Sequence, residues 1–281
     1  MLKIKVAAPA KINLTLEVLN KREDGFHNIK SIMQAINLFD YLTFKIEDSI
    51  NTQIILKGNS DKIPYDSKNL VYKAIVKFLE EAEIKNKKIE VYIEKNIPVE
   101  AGLAGGSTDA AATFFALNKV FDKPLSETQI NTLCASLGSD LNFCLYGGTA
   151  LCTGRGENIK KIDTPDIAVT LIKPTGFGIS AKKAYTKFAN LSDKEKICPD
   201  NTDKMAEKFD SSLLYNSLEK AVINDYPELL EIKKALPESI MSGSGPTFFI
   251  LSQKSPKSFD KNRFITIENL KSISTGVFEV C

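Results

Sequence analysis

The segment Pro98-Val99-Glu100-Ala101-Gly102-Leu103-Ala104-Gly105-Gly106-Ser107-Thr108-Asp109-Ala110-Ala111 constrains this chain more than any other. It lies between a strand-like run over 89–93 and a stretch in which Ala110, Phe114, Leu117 and Phe121 recur at helical spacing until Pro124 stops the pattern. A strand, a turn of small residues and a strong helix in succession place a helix N-terminus, with its unsatisfied N–H groups, at the end of a glycine-rich loop. Glycine lets the backbone approach a ligand closely, and Ser107 and Thr108 add two hydroxyl groups, so the segment suits a phosphate chain. The competing reading is a tight strand-to-helix packing turn. The spacing is neither G-x-x-x-x-G-K-[ST] nor G-x-G-x-x-G, and the chain has no His-Arg-Asp or Asp-Phe-Gly. The P-loop, dinucleotide-fold and protein-kinase readings are therefore excluded.

Around this unit the apolar pattern alternates between two periods. Ile12, Leu14, Leu16 and Val18 alternate with Asn13, Thr15 and Glu17, which predicts a strand with one face in the core and with Lys11 and Asn13 on the other. Further strand-like runs cover 41–46 and 52–56. Ser67 is expected to cap a helix whose apolar stripe is Leu70, Val71, Ala74, Ile75, Phe78 and Leu79. A capping box from Ser126 to Gln129 opens another helix, with Ile130, Leu133, Cys134 and Leu137 inward and Gly138 as a left-handed cap. After Gly147-Gly148 the order is a strand over 168–172, helices, a strand-turn-strand around Ser242-Gly243-Ser244-Gly245, a helix, and a last strand over 277–280. This reads as a β-α-β-β-α-β half. The prediction is an α+β chain of two domains, 1–162 and 163–281. The polar stretch 186–212 fits either a mobile surface segment or a solvated helical face.

Composition narrows the function classes. Lys plus Arg number 37 against 35 for Asp plus Glu, with no basic block, which excludes the long-range field of a nucleic-acid binder but leaves a small anionic ligand open. Five cysteines without a CxxC spacing argue against a disulfide framework or a zinc site and are expected as reduced thiols. The N-terminus lacks the continuous apolar core of a signal peptide, and no run approaches a membrane span, so the expected compartment is the cytoplasm.

Three further places carry candidate chemistry. Asp140 follows Gly138-Ser139 at the end of a predicted helix, where it either caps its own backbone or offers a rigidly held carboxylate. Lys11 reads as a solvated lysine on spacing alone; if it meets Asp140, it would hold that carboxylate ionised and add positive charge beside a transferring phosphoryl group. His27, the one histidine, sits in the turn Arg22-Glu23-Asp24-Gly25-Phe26-His27 and by itself reads as an ordinary surface or core residue.

In order and spacing, Pro9-Ala10-Lys11-Ile12-Asn13-Leu14, the Arg22–His27 turn, the Pro98–Ala111 loop, Gly138-Ser139-Asp140 and Ser242–Thr247 resemble the GHMP kinase superfamily. Within it, the opening hexapeptide and the Arg22–His27 turn are similar to the kinases of cytidyl-diphosphate methylerythritol. The resemblance implies a half like ribosomal protein S5 domain 2, a ferredoxin-like half, and an active site between them. It implies transfer of the ATP γ-phosphate, with Mg²⁺ accompanying the nucleotide, to the 2-hydroxyl of the small cytidyl-diphosphate substrate in the non-mevalonate route to isoprenoid precursors.

By the same resemblance Lys11 and Asp140 match catalytic positions. Pro98, Val99, Glu100, Ala101, Gly102, Leu103, Ala104, Gly105, Gly106, Ser107 and Thr108 match the ATP phosphate loop, and Asn69, Leu70 and Lys95 lie near the adenosine. Asn13, Phe26, His27, Asp140 and Tyr185 match the acceptor-substrate site. Three departures from the pattern stand out: Phe26 stands for a frequent tyrosine, Leu141-Asn142 for Val-Pro, and Thr108 for a serine. The alternatives are a related kinase acting on mevalonate, homoserine or a sugar, which leaves the Arg22–His27 turn unexplained, and a non-enzymatic RNA-associated protein, against which the near-neutral charge speaks.

Overall fold

The computed structural model describes residues 1–280; Cys281, one of the five cysteines, lies outside the described residues. The alternation over 12–18 is the centre of a far longer strand, β1 (Leu2–Lys21), antiparallel to the slightly longer β2 (His27–Asp48). In chain order there follow β3 (Gln53–Gly58), α1 (Leu70–Glu81), β4 (Lys87–Glu94), α2 (Gly105–Val120), α3 (Glu127–Leu137), α4 (Leu141–Tyr146), β5 (Thr149–Gly154) and β6 (Asn158–Ile162). The rest of the chain holds β7 (Ala168–Pro174), α5 (Ala181–Ala189), α6 (Asp193–Lys196), α7 (Asn201–Glu207), β8 (Tyr215–Asn216), α8 (Ser217–Val222), α9 (Pro227–Ala235), β9 (Ile240–Met241), β10 (Phe248–Ile250), β11 (Phe264–Lys271) and β12 (Phe278–Glu279).

One large sheet runs β12-β1-β2-β4-β3, with β5 and β6 extending it beside β2 and with β8 on β1. Phe44, Phe78 and Phe114 fill the interface between this sheet and α1–α4. The smaller sheet runs β11-β7-β10-β9 with every neighbouring pair antiparallel. In it β10 separates the two strands joined through helices, β7 and β9, which is the split β-α-β order of a ferredoxin-like half.

The structure corrects four local expectations. The polar face of β1 is not solvated: residues 6–18 are all buried. Its cover is α7, whose first N–H groups, from Asn201 and Thr202, donate to the buried Glu17 carboxylate at 3.0 and 2.8 Å. An anion at a helix N-terminus makes that burial tolerable. The polar stretch 186–212 is accordingly helical in part, and it buries Thr202 and Met205.

Helix α1 is capped by Asn69, whose Oδ1 accepts from Val71 N at 2.9 Å, and not by Ser67. The Asp66 side chain holds the preceding turn by accepting from Lys68 N, so the helix starts after it. The capping box on α3 forms as expected. Gly138, however, is extended, with φ 174°, and the chain passes straight on towards α4. Finally, no helix lies between β10 and β12. Residues 251–263 are irregular because the Ser252 and Ser255 hydroxyls bond nearby backbone and Pro256 interrupts any ladder. The strand β11 follows instead.

Among the described residues no helix is long and apolar enough to cross a membrane. The four described cysteines are free thiols: Cys134, Cys144 and Cys152 are buried and Cys198 is half-buried.

Candidate active site

The loop between β4 and α2 takes its path from three residues in the left-handed region, Glu100 (φ 51°), Gly102 (φ 75°) and Ala104 (φ 59°). Glycine is required at 102 for a second reason: a Cβ there would lie 2.1 Å from the Ser242 carbonyl oxygen. Buried Ala101 and Leu103 anchor the loop in the apolar cluster under β1. Lys11 N donates to Leu103 O at 3.2 Å, and Ser242 Oγ donates to Gly102 O at 3.1 Å. Pinned on both sides, the loop delivers α2 with the N–H groups of Gly105, Gly106 and Ser107 beyond the reach of any intrahelical carbonyl. Pro98 and Val99 are half-buried on the approach, Glu100 is exposed, and Thr108 already lies inside the helix.

Leu70 flanks this helix start, at 3.7 Å from where a Gly106 Cβ would stand. Both polar ends of the neighbouring Asn69 amide serve the protein itself, capping α1 and donating to Pro64 O at 2.6 Å. Gly106 has helical backbone and only that one neighbour, so its own conformation does not demand glycine. That makes Gly106→Val a clean probe of the space in front of α2. The variant folds normally and raises KM for ATP by roughly tenfold or more, about 1.4 kcal/mol of lost binding. Unchanged ATP binding by calorimetry would show that the loop is a packing turn.

Lys95 is held by the protein at the start of α2, with its ammonium 3.2 Å from where a Gly105 Cβ would stand. Its ammonium is bonded to Asp40 and, at 2.7 Å, to Asp109, with all three side chains buried. Asp40 also accepts from Asn96 N and Ile97 N at 2.6 and 2.8 Å, so the cluster fastens the end of β4 beneath the start of α2. One cation between two buried carboxylates leaves a net negative charge out of water. Burial pushes the Asp109 carboxyl up to about 7, with Lys95 opposing. Asp109 Oδ1 has no partner.

Asp140 occupies the N-cap position of α4 but makes no cap hydrogen bond. Its carboxylate faces the Lys11 ammonium at 3.4 Å, with Asp140 partly open to solvent at 28% and Lys11 nearly closed off at 5%. Lys11 Nζ also donates to Asn13 Oδ1 at 2.7 Å. The pair that sequence spacing left conditional is therefore formed, and the lysine is buried. The β9–β10 turn joins it, since a Cβ on Gly243 would lie 3.2 Å from Lys11 Nζ and 2.8 Å from Gly102 O. In sequence the turn Ser242–Gly245 shows only a run of small residues, the signal of a place where another backbone comes close.

His27, at the start of β2, is half-buried and stacks on Tyr185 of α5 with ring centroids 5.6 Å apart, while Phe188 meets it edge-on. Burial, with Lys21 and Lys196 nearby, holds its imidazole below the usual histidine range, so at neutral pH it carries one donor and one acceptor. Burial, with Asp140 nearby, pushes the Tyr185 hydroxyl up. Phe26 is exposed on one side and covered on the other by the Arg155 guanidinium, 5.0 Å from its ring centre. Among the described residues no group of three or more His, Cys, Asp or Glu side chains is placed to hold a metal ion.

Comparison with known proteins agrees with this geometry. Residues 69–148, from the cap of α1 through the phosphate-loop candidate to the glycines after α4, match the GHMP kinases N terminal domain. A 4-diphosphocytidyl-2-C-methyl-D-erythritol kinase from Bacillus cereus is 40% identical over 260 residues, 88% of each chain. This chain belongs to the 4-diphosphocytidyl-2-C-methyl-D-erythritol kinase family. A member from Bacillus thuringiensis is also 40% identical, over 88% of this chain and 87% of its own length. The crystal structure of a 4-(cytidine 5'-diphospho)-2C-methyl-D-erythritol kinase superposes with a TM-score of 0.73 at 30% identity, covering 89% of this chain and 90% of that one. The fold extends beyond the family: homoserine kinase from Cytophaga hutchinsonii gives a TM-score of 0.79 at 21% identity, over 99% and 97% of the two chains.

Proposed function

We propose that the cleft between the α2 N-terminus and the β9–β10 turn transfers the γ-phosphate of MgATP to the 2-hydroxyl of 4-diphosphocytidyl-2-C-methyl-D-erythritol, in the cytoplasm. The observation that carries this reading is the Lys11–Asp140 pair, held at 3.4 Å beside a loop that presents free helix N–H groups. On this reading residues 1–162 form the ATP-binding domain and 163–281 the second.

The N–H groups of Gly105, Gly106 and Ser107 receive the nucleotide phosphates, and Leu70 borders the adenosine. Bound with ATP, Mg²⁺ would offset charge on the phosphates. Transfer passes through a loose transition state, so alignment and charge stabilisation outweigh early proton removal. Lys11 places its charge beside the moving phosphoryl group, and Asp140 orients the acceptor hydroxyl. As the new O–P bond forms and the bond from Pγ to the β-phosphate oxygen breaks, the hydroxyl proton passes to the Asp140 carboxylate and ADP leaves. Lys95 acts from beneath, by holding the loop and the start of α2.

His27 reads the cytosine edge with its neutral imidazole, braced by Tyr185, while the open face of Phe26 is available for stacking. His27→Ala raises KM for the cytidyl substrate by roughly 5- to 150-fold, equivalent to about 1–3 kcal/mol for unmatched polar atoms. KM for ATP stays near its original value, and the preference for cytidine over uridine analogues narrows. A variant with unchanged KM and base preference would make His27 structural.

The function itself is tested by ADP release with the cytidyl substrate beside mevalonate, homoserine and galactose. Turnover with the cytidyl compound far above the others is expected; preference for any other acceptor would overturn the assignment.

A further inference from the structure

Lys11 does not depend on Asp140 alone for its position. Its second partner, Asn13 Oδ1 at 2.7 Å, belongs to a buried chain of hydrogen bonds whose directions follow from the chemistry of the partners. Asn13 Nδ2 lies 2.9 Å from Ser31 Oγ, and Ser31 Oγ lies 2.5 Å from the Thr15 carbonyl oxygen. Two oxygens at that distance share a proton, and a carbonyl has none to give. The single Ser31 proton is therefore committed to Thr15 O, and towards Asn13 the serine can only accept. This forces the NH₂ end of the Asn13 amide towards Ser31 and the carbonyl end towards the Lys11 ammonium.

The reverse orientation would point NH₂ at an ammonium group and at the same time leave the Ser31 lone pairs unmatched. Water cannot compensate, because Asn13, Ser31 and Thr15 are buried and α7 closes the far side, with Thr202 Oγ1 donating to Thr15 Oγ1 at 2.9 Å. The chain is also built at a break in register, since the β1–β2 pairing shifts between Asn13 and Thr15. Such a bulge re-aims side chains that a regular ladder would separate.

We infer that Ser31 is a positioning residue for phosphoryl transfer: by accepting from the Asn13 amide it locks that side chain in the one orientation that aligns Lys11. This rests on the role of Lys11 proposed above, and it assigns a function to a fully buried serine.

The test is a double-mutant cycle read in kcat, using MgATP and the preferred acceptor of the wild-type enzyme, with thermal melting as the control for folding. Ser31→Ala frees the amide to turn and lowers kcat by roughly ten- to hundredfold, the scale of a small misplacement of a catalytic group, with KM for ATP within about threefold. Asn13→Asp presents oxygen to Lys11 whichever way it turns, and Ser31 then swings its proton from Thr15 O to the new carboxylate, so adding Ser31→Ala in that background changes kcat by less than about threefold. Three results would overturn the inference: wild-type kcat in S31A, the same fractional loss of kcat on adding S31A to N13D, or an inactive double variant that still folds. Failure of the wild-type enzyme to use the cytidyl substrate would instead strike the acceptor assignment, and the cycle would still be read with whichever acceptor is used.

Discussion

Asp140→Asn lowers kcat by roughly 10²–10⁴ while the fold and nucleotide affinity are retained, the range expected when a positioned acid or base is removed. The structure makes this substitution unusually clean. Asp140 sits at the start of α4 yet spends no oxygen on capping it, so no helix depends on the carboxylate. Lys11 keeps its bond to Asn13 Oδ1, so the ammonium is not left alone in a buried site. What the amide cannot do is accept the hydroxyl proton or balance the lysine charge at the moment of transfer. Steady-state kinetics, with melting curves and ADP calorimetry as controls, decide the matter; near-normal turnover would remove Asp140 from the mechanism.

Lys95→Met has its largest effect on stability, costing about 3–5 kcal/mol because it leaves two buried carboxylates without their cation. Asp40 and Asp109 then face each other across an apolar side chain, and the folded state recovers by taking up a proton. The sign of the pH dependence follows. Burial already raises the Asp109 carboxyl to about 7 with Lys95 present, and loss of the ammonium raises it further. A carboxyl whose folded pKa lies above its unfolded value contributes stability that is present at low pH and lost as pH rises through the folded pKa. The penalty is therefore greatest near pH 8 and shrinks on acidification towards pH 6. Urea unfolding of wild type and variant at both values measures it, and equal penalties at the two would contradict a buried ion cluster. KM for ATP should rise as well, since Lys95 Nζ lies 3.2 Å from where a Gly105 Cβ would stand.

What could be read from the sequence follows the range over which each signal acts. The strand at 12–18, the apolar stripe of α1 and the α3 capping box are local patterns, and all three form. The phosphate-loop candidate was legible for the same reason, because its small residues announce close backbone approach whatever the partner. Ser67 and Gly138 do not take the capping roles their spacing suggests, through competition that spacing does not reveal: the Asp66 side chain claims the turn before α1, and α4 begins almost at once after α3.

Burial of the polar face of β1 was illegible because its cover, α7, comes from the other half of the chain. The same holds for Lys95. Its role near a nucleotide came from resemblance, whereas its burial between Asp40 and Asp109 depends on three elements meeting. The approach of Gly243 to Lys11 was hidden too, since a hairpin turn and a wall of an active site can share one sequence of small residues.

Transfer of phosphate from ATP to one particular hydroxyl is read at its source by phosphorus NMR of the product. Incubation of the enzyme with MgATP and 4-diphosphocytidyl-2-C-methyl-D-erythritol should yield ADP and, in equal amount, a new phosphate monoester resonance coupled to the 2-position of the methylerythritol. ADP released without that resonance, or a monoester at another hydroxyl, would rule out transfer to the 2-hydroxyl.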